Sequence, residues 1–269
     1  MLLAIDVGNT QTVIGLFALD DEPDGNRADG RSFTSGLVDH WRIATMSERT
    51  SDELVLVVQE FLGFHGYAFD EDVTGVAVSS VVPRSTAAFR EMVDRYFGFA
   101  PVVIEPGVRT GMPILTENPR EVGSDRIANA VAALAEFGGP CIVIDFGTAT
   151  TFDALSGRGE YLGGVIAPGL DISLDALYTR AAALRRVELQ EPRGAIGRTT
   201  VQSIQAGAIY GTAGLVDGIC GRIRAELGDP TVVATGGLAP LIAPYTQSIQ
   251  HVEPWLTLHG LRVVFERNR

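Results

Sequence analysis

Two short stretches join an aspartate to a glycine and hydroxyl residues. They are Asp6-Val7-Gly8-Asn9-Thr10 and Asp145-Phe146-Gly147-Thr148-Ala149-Thr150. Each lies between two apolar, β-type runs: residues 2–5 and 12–17 for the first, 141–144 and 151–155 for the second. A tight hairpin at a strand end aims successive backbone N–H groups at one point; glycine admits a close approach and threonine adds a hydroxyl donor. Such a nest binds phosphate oxygens without lysine, and this chain has none: its 21 basic residues are all arginine. An aspartate at the strand end, Asp6 or Asp145, can hold a cation or its waters beside those phosphates. One Asp-x-Gly turn alone is ordinary turn chemistry. Two in matched settings point to a nucleotide whose phosphates are held from both sides.

Two further clusters carry chemistry. Gly123-Ser124-Asp125-Arg126 opens an alanine-rich helical stretch over 125–137. Ser124 or Asp125 suits its N-cap. The same residues set a carboxylate and a guanidinium at a helix N-terminus, where anions are favoured. A carboxylate there can accept a hydroxyl proton, and an arginine can bind a carboxylate or phosphate. Thr199 or Thr200 caps a long helix expected over 200–227, and either hydroxyl can also reach a ligand. On that helix Gly207, Gly211, Gly214, Gly218 and Gly221 recur at helical spacing. Each costs about 1 kcal/mol relative to alanine in a helix interior, so the stripe serves a close approach, either within the chain or at a subunit interface.

The elements that must position these residues alternate between strand and helix. Strands are expected at 40–44, 73–79, 102–105, 161–166, 231–234 and near 249–252, besides the two hairpins. Helices are expected from the Thr50/Glu53 capping box to about Phe64, over 85–97 and 170–184, and from Pro254 onward. Residues 19–36, rich in Asp, Gly and Ser, read as an exposed loop, and 106–119 as a connector. The order gives an α/β class. A repeat reinforces it: Val76-Ala77-Val78-Ser79-Ser80 follows the first loop as Val232-Val233-Ala234-Thr235-Gly236-Gly237 follows the second. A duplicated α/β unit follows, with domains expected at 1–115 and 116–269.

Composition bounds the function. The 269 residues allow one large domain or two small ones at ~100–200 residues each. The net charge of -12 argues against nucleic acid and anionic membranes as partners. The absence of lysine excludes a Walker-A P-loop and Schiff-base catalysis. Cys141 and Cys220 lie far apart and lack CxxC partners, so buried thiols are expected rather than a zinc site. The four histidines show no metal-binding spacing. Neither a secretory leader nor a spanning helix is expected, and the location expected is cytoplasmic.

Taken in order, these motifs resemble type III pantothenate kinases. The resemblance also includes Trp41-Arg42-Ile43-Ala44-Thr45, Glu48-Arg49-Thr50-Ser51-Asp52-Glu53-Leu54, Gly163-Gly164-Val165-Ile166-Ala167-Pro168-Gly169 and Thr200-Val201-Gln202-Ser203-Ile204-Gln205-Ala206-Gly207. It runs over nearly the whole chain. It implies two RNase H-like domains of the actin, sugar-kinase and heat-shock-chaperone superfamily, with the active site in the cleft between them. It also implies a homodimer that uses Mg²⁺ and a monovalent cation, K⁺ or NH₄⁺. The reaction implied is transfer of the ATP γ-phosphate to the primary hydroxyl of pantothenate, the first step of coenzyme A biosynthesis.

By motif, Asp6, Val7, Gly8, Asn9, Thr10, Gln11, Thr12 and Val13 would form the first ATP loop, with Asp6 holding Mg²⁺ through water. Thr148 would contact ATP from the second loop, and Asp145 would help hold the monovalent cation. Gly123, Ser124, Asp125, Arg126 and Thr200 would bind pantothenate, with Asp125 as general base. The chain departs from the family pattern at three points. Ser124 stands where Gly-Ala-Asp-Arg is common, no tyrosine stands near Thr116, and the 19–36 segment is long. The rival readings are another small-molecule phosphotransferase or a phosphohydrolase of the superfamily, a non-catalytic regulator built on a degenerate kinase, and a filament-forming actin relative. Intact Asp6, Asp125, Asp145 and Thr148 weigh against the regulator.

Overall fold

In the computed structural model, which describes residues 1–19, 36–181 and 183–269, the first loop joins β1 (Leu2–Val7) to β2 (Gln11–Phe17) as an antiparallel hairpin. The outer strand β3 (Leu37–Ala44) pairs with β2, and β4 (Gly75–Ser80) lies parallel to β1. The two-residue β5 (Val102–Val103) completes a sheet of order β3-β2-β1-β4-β5. Helix α1 (Ser51–Gly63) starts at the expected capping box, with the Thr50 side chain accepting from Glu53 N and the Glu53 carboxylate accepting from Thr50 N. Helix α2 (Pro83–Phe97) begins with proline, whose missing N–H costs nothing at that position. The expected 19–36 loop falls almost wholly on 20–35, outside the described residues.

After α3 (Ser124–Phe137) the pattern repeats. The second loop joins β6 (Cys141–Phe146) to β7 (Ala149–Leu155), and β8 (Tyr161–Pro168) pairs outside β7. Helix α4 (Leu170–Arg180) and helix α5 (Thr200–Leu227) follow, then β9 (Thr231–Thr235), the short α6 (Ala239–Ile242), β10 (His251–Val252) and α7 (Leu256–Glu266). Strand β9 lies parallel to β6, and the order β8-β7-β6-β9-β10 reproduces that of the first sheet. Asp6 stands opposite Ser79, and Asp145 opposite Thr235. The repeat read from sequence is therefore a repeat of topology and register.

The chain forms two compact units, one of residues 1–111, 118–136 and 256–269, the other of 112–117 and 137–255. A single division after residue 115 does not describe them, because α3 and α7 belong with the first sheet. Gly260 on α7 lies against the backbone of α3, where an added Cβ would stand 2.0 Å from the Ala128 oxygen. The Thr257 hydroxyl donates to the Asn129 side-chain oxygen at 2.7 Å, and Asn129 is wholly buried. A substitution at Gly260 would separate the two helices. The core of the first unit gathers Leu3, Ile5 and Val7 of β1 with Leu54, Val58, Phe89 and Met92 of α1 and α2. That of the second gathers Ile142, Ile144, Ile209, Val216 and Val232. Each fully buried large aliphatic side chain contributes roughly 1.5–3 kcal/mol.

Cys141 and Cys220 are buried free thiols, as expected, and burial pushes them up to about 12 and about 11. Among the described residues no helix is long and apolar enough to cross a membrane. The helix expected to run to residue 184 ends at Arg180, where Ala181 turns extended at φ -102° and ψ 103°.

Candidate active site

The first loop presents Asn9, Thr10 and Gln11 to solvent while Gly8 is half-buried. Val7 and Thr12, at its two ends, are buried. Gly8 N donates to the Gln11 oxygen at 3.0 Å, which closes the turn. The Thr45 hydroxyl donates to the Gly8 oxygen at 2.8 Å and lies 2.9 Å from the Thr12 hydroxyl, while Thr45 N donates to the Thr10 oxygen at 3.0 Å. The loop is thus tied to the end of β3. Val7, Thr12 and the half-buried Val13 support it from within the sheet, and the groups that face outward are those of Gly8 to Gln11. Asp6 is half-buried at the end of β1.

Ser124 takes no part in capping its helix. Its hydroxyl accepts from Ser80 N at 2.9 Å and from the Ser79 hydroxyl at 3.1 Å, and donates to the Ser80 oxygen at 3.0 Å. The carbonyl of Gly123 accepts the first helical bond, from Ile127 N at 3.0 Å. The Asp125 carboxylate curls back to accept from Arg126 N at 2.8 Å. A Cβ on Gly123 would stand 2.5 Å from Asp125 Oδ1, so glycine there leaves room for the carboxylate. Asp125 and Arg126 remain half-exposed at the helix N-terminus. The α3 start therefore sits on β4, beside the strand that carries Asp6, and both carboxylates belong to the same unit.

In the second unit Gly147 and Thr148 are exposed, and Gly147 N donates to the Ala149 oxygen at 3.0 Å. Gly236 follows β9 with φ +90°. A Cβ there would lie 2.7 Å from Asp145 Oδ1 and 2.6 Å from the Phe146 oxygen. The backbone at Gly236 therefore packs directly against the Asp145 carboxylate and the Phe146 carbonyl, and a side chain there would push the Asp145 carboxylate aside. Among the described residues no three His, Cys, Asp or Glu side chains gather as a metal cage.

Thr199 caps α5 by accepting from Gln202 N at 3.2 Å, and the Gln202 side chain accepts from Arg198 N at 2.9 Å. Thr200 is the first helical residue and is exposed. Gly207, Gly211, Gly214 and Gly221 have nothing within 4 Å of an added Cβ among the described residues, so close intrachain packing does not explain the stripe. Sequence reading missed the roles of Thr45, Gly236 and Ser80. Each acts through contacts with residues distant in sequence. The matched strand ends at Ser79-Ser80 and Thr235-Gly236 were the available signal.

The sequence model of the family described as type III pantothenate kinase matches residues 2–222. The type III pantothenate kinase of Streptomyces avermitilis is 52% identical, with 100% of this chain and 98% of that protein covered. That of Moorella thermoacetica is also 52% identical, with 100% of each covered. Among solved structures, a conserved Baf family transcriptional activator from Campylobacter jejuni aligns over 99% of this chain and 98% of its own, with a TM-score of 0.57 at 18% identity. A ROK family protein from Streptococcus pneumoniae, solved with sucrose, aligns over 99% and 98% with a TM-score of 0.53 at 14% identity. Those two likenesses speak to fold, which is the duplicated RNase H-like arrangement expected from sequence. With the family's sequence pattern running through both loops and the Gly123–Arg126 segment, the chain belongs to the type III pantothenate kinase family.

Proposed function

We propose that this chain transfers the γ-phosphate of ATP to the primary hydroxyl of pantothenate, giving 4′-phosphopantothenate. The observation that carries the reading is full-length identity of about half to type III pantothenate kinases, together with an intact set of Asp6, Asp125, Asp145 and Thr148 at strand ends and a helix N-terminus. The outward groups of Gly8 to Gln11 and the Thr148 hydroxyl bind the phosphates. Gly123, Arg126 and Thr200 bind pantothenate, with Arg126 suited to its carboxylate. Ser124 contributes through its backbone, its hydroxyl being engaged by Ser79 and Ser80. Asp125 accepts the proton as the hydroxyl oxygen meets the phosphorus in line.

Asp6 would hold Mg²⁺ through water, and Asp145 would help hold K⁺ or NH₄⁺. When bound, these cations spread the charge that grows on the phosphate oxygens. The protein's own part is positioning and electrostatic preorganisation.

The enzyme works in the cytoplasm as a homodimer. Support for the dimer comes from the open glycine face of α5 and from exposed apolar residues of the second unit. These include Val165 and Ile166 on β8, Ile172 and Leu177 on α4, and Val201 on α5. Strand β8 is the outer strand of its sheet. Light scattering of the purified chain checks the mass; a monomer at micromolar concentration contradicts the dimer.

Incubation with Mg²⁺, ATP and pantothenate tests the reaction. ADP release that depends on pantothenate, with a phosphomonoester product by ³¹P NMR, is expected. ATP binding without pantothenate-dependent release contradicts the choice of acceptor.

A further inference from the structure

The two hairpins stand in one further relation. In the first, Gln11 pairs with Ala44, the last residue of β3, so Thr45 lies opposite Thr10. In the second, Ala149 pairs with Pro168, the last residue of β8, so Gly169 lies opposite Thr148. Thr45 and Gly169 are therefore the same position in the two repeats. Each touches its loop, by opposite means.

Thr45 grips. Its hydroxyl donates to the Gly8 oxygen and meets the Thr12 hydroxyl, and its N–H donates to the Thr10 oxygen. A carbonyl held by such bonds turns its peptide so that neighbouring amides face the other way. Gly169 yields. An added Cβ would stand 2.3 Å from the Thr148 oxygen and 2.7 Å from the Gly147 oxygen. These are backbone atoms, which cannot move aside as a flexible side-chain end can. The Gly169 carbonyl is itself bonded by the Ser173 hydroxyl at 2.9 Å, at the start of α4.

We infer that the first residue beyond the outer strand of each hairpin, Thr45 in one unit and Gly169 in the other, is a positioning residue that sets the shape of the phosphate loop opposite it. This rests on the reading of both loops as nucleotide-binding. Thr45 acts through its bonds to the loop backbone and Gly169 through the room it leaves beside it, so that the loop amides are arranged before ATP arrives. Loss of the Thr45 hydroxyl leaves the Gly8 carbonyl and the buried Thr12 hydroxyl without it, and the loop samples other shapes.

The test compares the full-length wild type with Thr45→Val, Thr45→Ser and Gly169→Ala. ATP dissociation constants come from calorimetry, and kcat and both KM values from steady-state assay. Circular dichroism and melting temperatures confirm that each variant is folded. Thr45→Val is expected to weaken ATP binding about tenfold, the scale of one lost hydrogen bond to a preorganised group. KM for pantothenate should stay within about twofold, since no binding contact to the acceptor is changed. Thr45→Ser keeps the hydroxyl and should restore ATP affinity. Gly169→Ala should weaken ATP binding by displacing Thr148.

Wild-type ATP affinity in folded Thr45→Val overturns the inference, as does Thr45→Ser being as weak as Thr45→Val. Should Thr45→Val not fold, Gly169→Ala decides: unchanged ATP affinity overturns the inference, and weakened affinity with unchanged pantothenate KM supports it. A wild type that binds ATP but does not phosphorylate pantothenate defeats the proposed acceptor alone, and the calorimetric comparison still decides the loop claim.

Discussion

The Ser124 hydroxyl satisfies both backbone groups of Ser80, accepting from its nitrogen at 2.9 Å and donating to its carbonyl at 3.0 Å. One buried side chain thereby seats the N-terminus of α3 on the last residue of β4. Strand β4 is the parallel neighbour of β1, with Asp6 opposite Ser79. The carboxylate proposed as general base and the one proposed to serve Mg²⁺ thus belong to one compact unit, linked through a strand and a serine. The distance between the first loop and Asp125 is set by the fold of that unit.

Replacing Ser124 with alanine leaves the Ser80 N–H and carbonyl without this partner. An unmet buried group costs about 1–3 kcal/mol. Ser124→Ala is expected to lower the melting temperature and the denaturant midpoint while turnover continues, because the Ser124 hydroxyl is engaged by Ser79 and Ser80 rather than offered to a ligand. An unchanged midpoint would show that water or a shifted backbone satisfies Ser80 equally well.

Gly236 packs directly against Asp145, where an added Cβ would stand 2.7 Å from Asp145 Oδ1 and 2.6 Å from the Phe146 oxygen. Gly236→Ala would push aside the Asp145 carboxylate, proposed to help hold the monovalent cation, and also strains a backbone with φ +90°. The variant should lose stimulation by K⁺, with its activity nearly the same in K⁺ and Na⁺ buffers. Full K⁺ stimulation with a wild-type half-activating concentration would place the cation elsewhere. The melting temperature of each form, measured with and without K⁺, gives a readout independent of turnover.

His259 on α7 gives stability a pH dependence. It is 1% exposed and packs edge-on against Phe17, with ring centroids 5.3 Å apart. Burial, followed by the positive charge of Arg262, lowers its pKa from 6.5 to about 3. Between these values the unfolded chain binds a proton that the folded chain refuses. Stability therefore rises with pH through that window and is lost as pH falls from 6.5 toward 3. Urea melts at a series of pH values should show a midpoint falling below pH 6.5, with a shallower fall in His259→Leu. Equal slopes in the two proteins would assign acid sensitivity to the carboxylates instead.

Much of this was legible in the residues. The bounds of α5 follow from Thr199 or Thr200 as its cap and a helical pattern to Leu227. The hairpins announce themselves through Gly8 and Gly147 between β-type runs, and the matched strand ends disclosed the duplication. What was hidden depends on contacts between distant segments. Nothing local to Gly260 tells that it meets Ala128, so the grouping of α3 and α7 with the first sheet was missed. Ser124 has the composition of a cap and is engaged by a strand 44 residues earlier. Thr45 lies just beyond the strand expected at 40–44, and its grip on Gly8 appears only when the hairpin register is known.

The most direct test is pantothenate phosphorylation by the wild type and by Asp125→Asn, with saturating ATP and Mg²⁺ in K⁺ buffer and pantothenate binding measured in parallel. The account predicts pantothenate-dependent product from the wild type and a loss of about 10²–10⁴-fold in kcat for Asp125→Asn, the usual range for removing a general base. Pantothenate affinity should remain measurable in the variant. Wild-type turnover by Asp125→Asn would contradict the role of Asp125, and no pantothenate-dependent product from the folded wild type would contradict the proposed reaction itself.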